Sequence, residues 1–395
     1  MISETTASHA PNLAASAPHL INVFPEQQPD VSVIVVVHNE DEYLKQAFDS
    51  ILAQDGVQVE TVVVCNEPTA ASLEIVNAYA AENSGFIVEV QGNTGPSGGR
   101  NTGMKLANGR YLMFLDGDDF LEGNQLQQLV QIADQDNLDL VSFDSASYRD
   151  DSASDSDWEK FKSYGTMRYK YDKPVPGVEL MAQMRLNGEY QTVVWKYLIR
   201  RDLALRLGPS PHIMVQRHSD DLFTFSVYLE AARSLHVPLV FHRRRVRAQS
   251  LSTAIDQINL NASSDGYLVG YVEALKKVAP LDLPVELFNP IASIVDGLLQ
   301  AYFRDLAAVN PASRTDIDRL FRKDYPDIFG VILARFIKRY DSQGSANPPT
   351  HSGLTAIVIR ICERFHIPTA RLSRIYRRTA ARFAHPLARL KTLAK

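Results

Sequence analysis

The chain has 395 residues, a net charge of −5, 45% hydrophobic and 22% charged residues, which is the profile of a globular protein with length for two or three domains. Two cysteines, Cys65 and Cys362, exclude a disulfide framework and a CxxC metal site and fit a reducing compartment. The Ala-, Ser- and Pro-rich stretch 1–29 lacks a basic n-region and an apolar core, so it reads as a disordered leader and not a signal peptide. No run approaches the ~18–20 apolar residues of a membrane span.

Residues 31–37 (VSVIVVV) are continuously apolar and β-branched, the composition of a central parallel strand. Helical periodicity follows over 40–54, then a strand at 57–64, a helix at 70–81, a strand at 86–90, a Gly-rich loop and a helix at 99–107. A strand at 111–115, a helix at 125–134 and a strand at 138–143 continue the alternation, which implies a doubly wound, mostly parallel α/β sheet flanked by helices. After Asp144 the rhythm breaks. The acidic, Ser-rich stretch 150–159 (DDSASDSDWE) predicts an exposed loop, 220–232 a helix and 235–241 a strand. From 255 to 340 the segments read as helices divided by Pro280, Pro284, Pro290 and Pro311, a C-terminal helical extension to the α/β domain at 30–254. Residues 341–353 are a linker by composition, and 354–395 form a basic amphipathic helical tail. From His351 to Lys395 there are eight Arg and two Lys against one Glu, leaving the other 350 residues at −14. Such a tail suits an anionic membrane surface, an acidic protein partner or the acidic body itself. No nucleic-acid recognition motif accompanies it, so nucleic acid is not an expected partner.

The segment YLMFLDGDD (residues 111–119) runs five mostly apolar residues into Asp116, Asp118 and Asp119. Like charges this close raise one another's pKa, and a hard divalent cation would offset the cost. A solvated Asp-Gly turn is the plainer reading. The loop GNTGPSGGRNTG (residues 92–103) holds five glycines, which let a backbone approach a ligand, and Arg100 at the start of the next helix, where an anion is favoured. A simple connection is the alternative. His38, Asn39 and Glu40 end the first strand, and Cys65, Asn66 and Glu67 the second, where open α/β sheets place ligands. Cys65 reads as a small buried hydrophobe. Asp220 and Asp221 open a helix, either as helix-dipole partners or, beside a metal site, as a proton acceptor. Trp195 and Lys196 lie in VVWKYLIRRDL, with Trp195 a core or cleft-wall aromatic, and Arg243, Arg244, Arg245 and Arg247 form a basic stretch suited to solvent or to diphosphate.

The order of these motifs resembles the family 2 glycosyltransferases of GT-A fold: VSVIVVVHNEDEYLKQAFDSILAQ (31–54), NTGPSGGRNTG (93–103), FLDGDD (114–119), a looser WxK-type match at 194–203, the acidic pair before Leu222, and RRRVRAQSLS (243–252). The resemblance covers about residues 31–253. It implies an inverting transferase of the bacterial cell-surface polysaccharide type, with Mn²⁺ or Mg²⁺ on Asp116 and Asp118 against the diphosphate of a nucleotide sugar. It places Asp119 beside the donor sugar or acceptor, Asp221 as general base with Asp220 its neighbour, and Arg100 on the donor nucleotide or phosphates. Val37, His38, Glu40 and Asn66 would form the crevice for base and ribose. The acceptor would be a hydroxyl of a glycan or lipid-linked glycan, and the location cytoplasmic or peripheral on the inner face of the plasma membrane. An oligomer is compatible with the sequence. The chain departs from the family where PVYN becomes VVHN and where CNEP (65–68) replaces the usual DDGS, which leaves nucleotide identity open, with a uridine diphosphate sugar the expectation. A polyol-phosphate or nucleotidyl transferase on the same scaffold, and a non-catalytic nucleotide- or glycan-binding module, are the alternatives.

Overall fold

The computed structural model describes residues 28–207, 217–248, 250, 257–278, 281 and 283–308. Residues 1–27 of the expected 1–29 leader, residues 309–340 of the expected helical region, the linker at 341–353 and the tail at 354–395 lie outside the described residues. In chain order the elements are β1 (Val31–Val37), α1 (Leu44–Leu52), β2 (Val59–Asn66), α2 (Ala70–Glu82), β3 (Phe86–Gln91), α3 (Gly95–Leu106) and β4 (Tyr111–Asp116). Next come β5 (Phe120–Leu121), α4 (Leu126–Gln135), β6 (Leu140–Arg149), α5 (Asp155–Phe161), α6 (Gly177–Leu186), β7 (Tyr197–Arg200) and α7 (Arg201–Arg206). α8 (Ser219–Glu230), β8 (Ser234–Val246), α9 (Gln257–Val278) and α10 (Val285–Ala308) complete the described residues.

All eight strands join one sheet in the order β3-β2-β1-β4-β7-β6-β8-β5. The half from β3 to β4 is parallel, with Val31 level with both Val59 and Tyr111. β1 is central there, and six of its seven residues are buried, which is why its sequence is an unbroken apolar run and not an alternating one. On one face Phe48 of α1 meets Tyr79 of α2 and Phe86 of β3 at ring separations of 5.1 and 5.4 Å. On the other face lies α3, and its glycines explain the closeness. A Cβ on Gly103 would stand 2.3 Å from Ile34 Cγ2, and one on Gly99 would stand 2.5 Å from Val36 Cγ1. The far half of the sheet is mixed: β7 pairs antiparallel with both β4 and β6, and β5 pairs antiparallel with β8.

Several boundaries differ from the sequence reading. The helix expected from residue 40 begins at Leu44, because 40–43 form a turn closed by Tyr43 N–H donating to Glu40 O at 2.8 Å. α3 starts at Gly95, four residues earlier than expected, with Pro96 in its first turn. The stretch expected to be an exposed loop contains α5, capped by Ser154 Oγ, which accepts from Asp157 N–H at 3.1 Å. β8 continues to Val246 and takes Arg243, Arg244 and Arg245 into the sheet. Pro290 does not divide a helix, because α10 runs through it. Burial of Ile291, Val295 and Tyr302 against α9 and α6 offsets the ~3 kcal/mol that an interior proline costs. No described helix is long and apolar enough to cross a membrane.

Candidate active site

β4 delivers Asp116 to the carboxyl end of the parallel half-sheet, beside the ends of β1 and β2. There Asp119 N–H donates to Asp116 O at 3.0 Å, a tight turn with Gly117 packed under Leu44 and Glu40. The three carboxylates of this turn do not converge. Asp116 Oδ1 accepts from Arg100 Nη2 at 3.0 Å, and Asp118 Oδ2 accepts from Arg247 Nε at 2.7 Å. Burial, with Asp119 and Asp116 adding repulsion, pushes the Asp118 carboxyl up to about 6 against the pull of Arg247. Asp116 and Asp118 stand on either side of one glycine, each held by an arginine, and carboxylate oxygens are the ligand type that a hard cation such as Mg²⁺ or Mn²⁺ takes.

Asp119 faces β8 instead. Its Oδ1 accepts the backbone N–H of Arg245 at 2.7 Å, its Oδ2 lies 3.2 Å from His242 Nε2, and the residue is 4% exposed. Burial pushes this carboxyl up to about 8 and His242 down to about 3. Trp195 stacks on His242 at 4.2 Å between centroids. Asp119, expected beside donor sugar or acceptor, ties the β4 turn to β8 here. Arg245 belongs to the same joint, since its Nε donates to Asp118 O at 2.7 Å and its guanidinium lies over Tyr43, Tyr148 and Phe120. Arg243 pairs with Glu122, and Arg244 lies over Phe161 and Tyr164. Lys196 is fully buried, with Nζ donating to Gln191 Oε1 at 3.0 Å and to Gly165 O at 3.3 Å, and burial pulls it down to about 8.

The crevice expected from Val37, His38, Glu40 and Asn66 is also rearranged. The Val37 side chain lies wholly in the core. The Glu40 carboxylate accepts the N–H groups of His38 at 2.7 Å and Asn39 at 3.0 Å, so it closes its own loop, and burial raises its pKa. His38 Nδ1 sits 3.0 Å from Asn66 O. The Asn66 side chain is engaged: Oδ1 accepts from Gln91 Nε2, Thr94 N–H and Thr94 Oγ1 at 2.9–3.0 Å, and Nδ2 donates to Gly95 O at 3.3 Å. Asn66 thus anchors the glycine loop. Past the end of β2, Glu67 is exposed with a left-handed φ of 58°. Gly92 and Gly95 face open space, which keeps them available for close approach of a ligand, whereas Gly99 and Gly103 serve helix–sheet packing.

Arg100 lies in the second turn of α3 and not at its start. Its charge reaches across to Asp220 on α8. α8 is seated on β4 by Phe223 meeting Phe114 edge-on at 5.6 Å, and Thr224 Oγ1 donates to Val193 O at 3.0 Å. Its first turn carries Asp220 and Asp221, the latter 8% exposed. Burial and then Asp221 push the Asp220 carboxyl up to about 6, while Arg100 and His218 pull it down. Sequence reasoning missed His218. It caps α8 in the left-handed region at φ 63°, and its Nδ1 lies 3.2 Å from Asp221 Oδ2. Among the described residues, the three or more His, Asp or Glu groups that converge within 4.8 Å are His218, Asp220 and Asp221. No periodicity singles out this histidine, and its position immediately before the SDDL segment was the one available signal.

Residues 32–186 match the family described as Glycosyl transferase family 2. Among curated proteins, the chain is 30% identical over 207 residues to the uncharacterized glycosyltransferase EpsJ of Bacillus subtilis, covering 52% of this chain and 58% of EpsJ. It is 34% identical over 131 residues to the succinoglycan biosynthesis protein ExoO of Rhizobium meliloti, covering 31% of this chain and 37% of ExoO. The chain therefore spans about two fifths to three fifths of the length of these two relatives. Among solved structures, residues 1–349 of S. aureus TarS in complex with UDP-GlcNAc superpose with a TM-score of 0.53 at 19% identity, over 77% of this chain and 80% of that one. The fold is the GT-A arrangement that the sequence resemblance implies: a mixed α/β, Rossmann-like sheet flanked by helices.

Proposed function

We propose that this protein is a glycosyltransferase that moves a sugar from a nucleoside diphosphate sugar, with uridine diphosphate the first expectation, to a hydroxyl of a glycan or lipid-linked glycan in polysaccharide synthesis. The observation that carries this reading is Arg100. It pairs with Asp116 at the strand end and its charge faces Asp220 at the start of α8, so a cation-binding carboxylate and an acidic pair share one basic side chain. The family match, the named glycosyltransferase relatives and the nucleotide sugar bound to TarS support the same reading.

In this reading Asp116 and Asp118 would hold a divalent cation near the donor diphosphate. When bound, the cation supplies Lewis-acid stabilisation of the departing diphosphate. Arg100 neutralises charge on the same group. The Asp221 carboxylate accepts the proton of the acceptor hydroxyl as that oxygen attacks the anomeric carbon from the face opposite the nucleotide, and the configuration inverts. Tyr164 and Tyr190, which lie near both carboxylates, help enclose the pair. Asp119 acts at one remove by holding the β4 turn against β8.

The test is nucleoside diphosphate release from a panel of nucleotide sugars, with and without Mn²⁺ and an acceptor extract. Asp221→Asn should lower turnover by about 10²–10⁴-fold, the range for loss of general-base catalysis, with donor binding retained. Asp118→Ala should lose metal-dependent donor binding as well. Release of pyrophosphate or nucleoside monophosphate in place of the diphosphate would assign a nucleotidyl or polyol-phosphate transfer. Donor binding without any release in the presence of acceptor would assign a binding module.

A further inference from the structure

The two helices α9 and α10 carry no motif, yet they reach the acidic pair of α8 through two side-chain hydrogen bonds and one close histidine–carboxylate contact. Ser263 of α9 and Asp305 of α10 are each 7% exposed. Ser263 Oγ donates to Asp305 Oδ2 at 2.5 Å, and His218 Nε2 lies 2.7 Å from the same Ser263 Oγ. On the other side of the ring, His218 Nδ1 lies 3.2 Å from Asp221 Oδ2. The ring plane is set by Tyr267, stacked at 3.7 Å between centroids and 21°. α9 is pressed against this point: a Cβ on Gly266 would stand 2.1 Å from Arg217 O.

The proton inventory assigns the direction of each bond. Asp305 is paired with Arg304, whose Nε donates to Oδ1 at 2.8 Å, so its other oxygen is an acceptor. A serine hydroxyl has one proton, and here it goes to Asp305. Ser263 Oγ therefore accepts from His218 Nε2–H, which assigns that nitrogen as protonated by the network. Nδ1 then faces a carboxylate oxygen. The 3.2 Å contact is an ion pair when the ring is protonated. The groups surrounding the imidazole are Asp220 and Asp221 from α8, Tyr267 and Ser263 from α9, and Arg304 and Asp305 from α10. A buried polar chain through three elements is costly unless every member is satisfied. His218 also sits at a left-handed φ of 63°, a region that non-glycine residues adopt at a cost.

We propose that His218 is a positioning residue for Asp221, and that Ser263 and Asp305 hold its ring so that Nδ1–H donates to one carboxylate oxygen and turns the other toward the acceptor hydroxyl. The inference rests on the reading of Asp221 as the base and makes α9 and α10 part of the catalytic apparatus.

The experiment uses the full chain and the nucleotide sugar that it turns over. Ser263→Ala and Asp305→Asn should each lower kcat about tenfold or more, with donor KM within about twofold, and Asp305→Glu should restore part of the loss. His218→Asn, whose amide can donate in place of Nδ1–H, should retain more activity than His218→Leu. Nitrogen-15 spectra of histidine-labelled protein should show His218 Nε2 protonated in the wild type and the signal shifted in Ser263→Ala, the mildest change and the one least able to disturb folding. Wild-type kcat in both Ser263→Ala and Asp305→Asn, or donor KM rising in step with the loss of kcat, would overturn the proposal. Turnover retained by Asp221→Asn would overturn the underlying reading of the base, and turnover lost there but untouched in Ser263→Ala and Asp305→Asn would overturn the relay alone.

Discussion

Asp118 is held in the folded protein at a cost. Its carboxyl is pushed up to about 6 by burial and by the two neighbouring aspartates, so the folded chain binds a proton more tightly than the unfolded chain does. Stability from this group is therefore greatest at low pH and falls as pH rises from about 4 to about 6, because there the native state holds more protons. Asp118→Asn should raise the melting temperature of metal-free protein at pH 7 and abolish the stabilisation given by Mn²⁺. The gain should be about 1–3 kcal/mol, a shift of about two units converted at 1.36 kcal/mol per unit and discounted for the bond lost to Arg247. Thermal melts at pH 5 and pH 7, with and without Mn²⁺, read both effects. A variant no more stable than wild type at pH 7 and still stabilised by the ion would refute the assignment. Asn66 makes the complementary case. Its side chain satisfies three donors and one acceptor around the glycine loop, so Asn66→Ala should cost about 1–3 kcal/mol, the range for buried polar groups left unpaired. Chemical denaturation measures that loss.

α3 shows why the glycines of the loop motif serve two ends. Gly99 and Gly103 are the points where the helix lies on Val36 and Ile34 of β1, and Arg100 stands between them in sequence. A methyl at residue 103 has nowhere to go, because the nearest atom belongs to a branched side chain held in the core. Gly103→Ala should therefore destabilise by about 1–3 kcal/mol, as overpacking does. It should also displace Arg100 from Asp116, seen as weaker donor binding in calorimetry. A variant with unchanged melting temperature and donor affinity would mean that the helix moves freely on the sheet. β8 is the second such element. Its arginines were legible as a basic run, but only pairing with β6 shows that Arg245 turns inward to brace the Asp118 turn while Arg247 faces the Asp118 carboxylate.

At the scale of the molecule, the helices after β8 belong to the same compact unit as the sheet, which extends to Val309. Leu268, Tyr271 and Ala274 of α9 and Ile291, Val295 and Tyr302 of α10 are buried, and these helices pack on α8 and α6. A chain ending at residue 256 would expose that apolar surface at roughly 25 cal/mol for each Å² uncovered. It should be poorly soluble and lose turnover, even though every residue of the recognised motifs is present. Size-exclusion chromatography and circular dichroism of the truncated chain give the result, and a soluble, active 1–256 protein would show the helices to be dispensable.

The order of residues carried the alternation of strands and helices up to β6, apart from the two-residue β5, because a buried parallel strand and an amphipathic helix leave different apolar periods. It also determined which residues would stand at the strand ends, since Asp116, His38 and Asn66 follow directly from where apolar runs stop, and the acidic pair of α8 follows from its place in a helix first turn. Only the tertiary structure decided what those side chains face. Asp119 and Asn66 read as ligand contacts in a motif, and the fold also ties them to β8 and to the glycine loop, through partners 126 and 28 residues away in the chain. The link from His218 through Ser263 to Asp305 spans α8, α9 and α10 by the same logic: side-chain hydrogen bonds between distant segments have no period, so they leave no pattern in the order of residues.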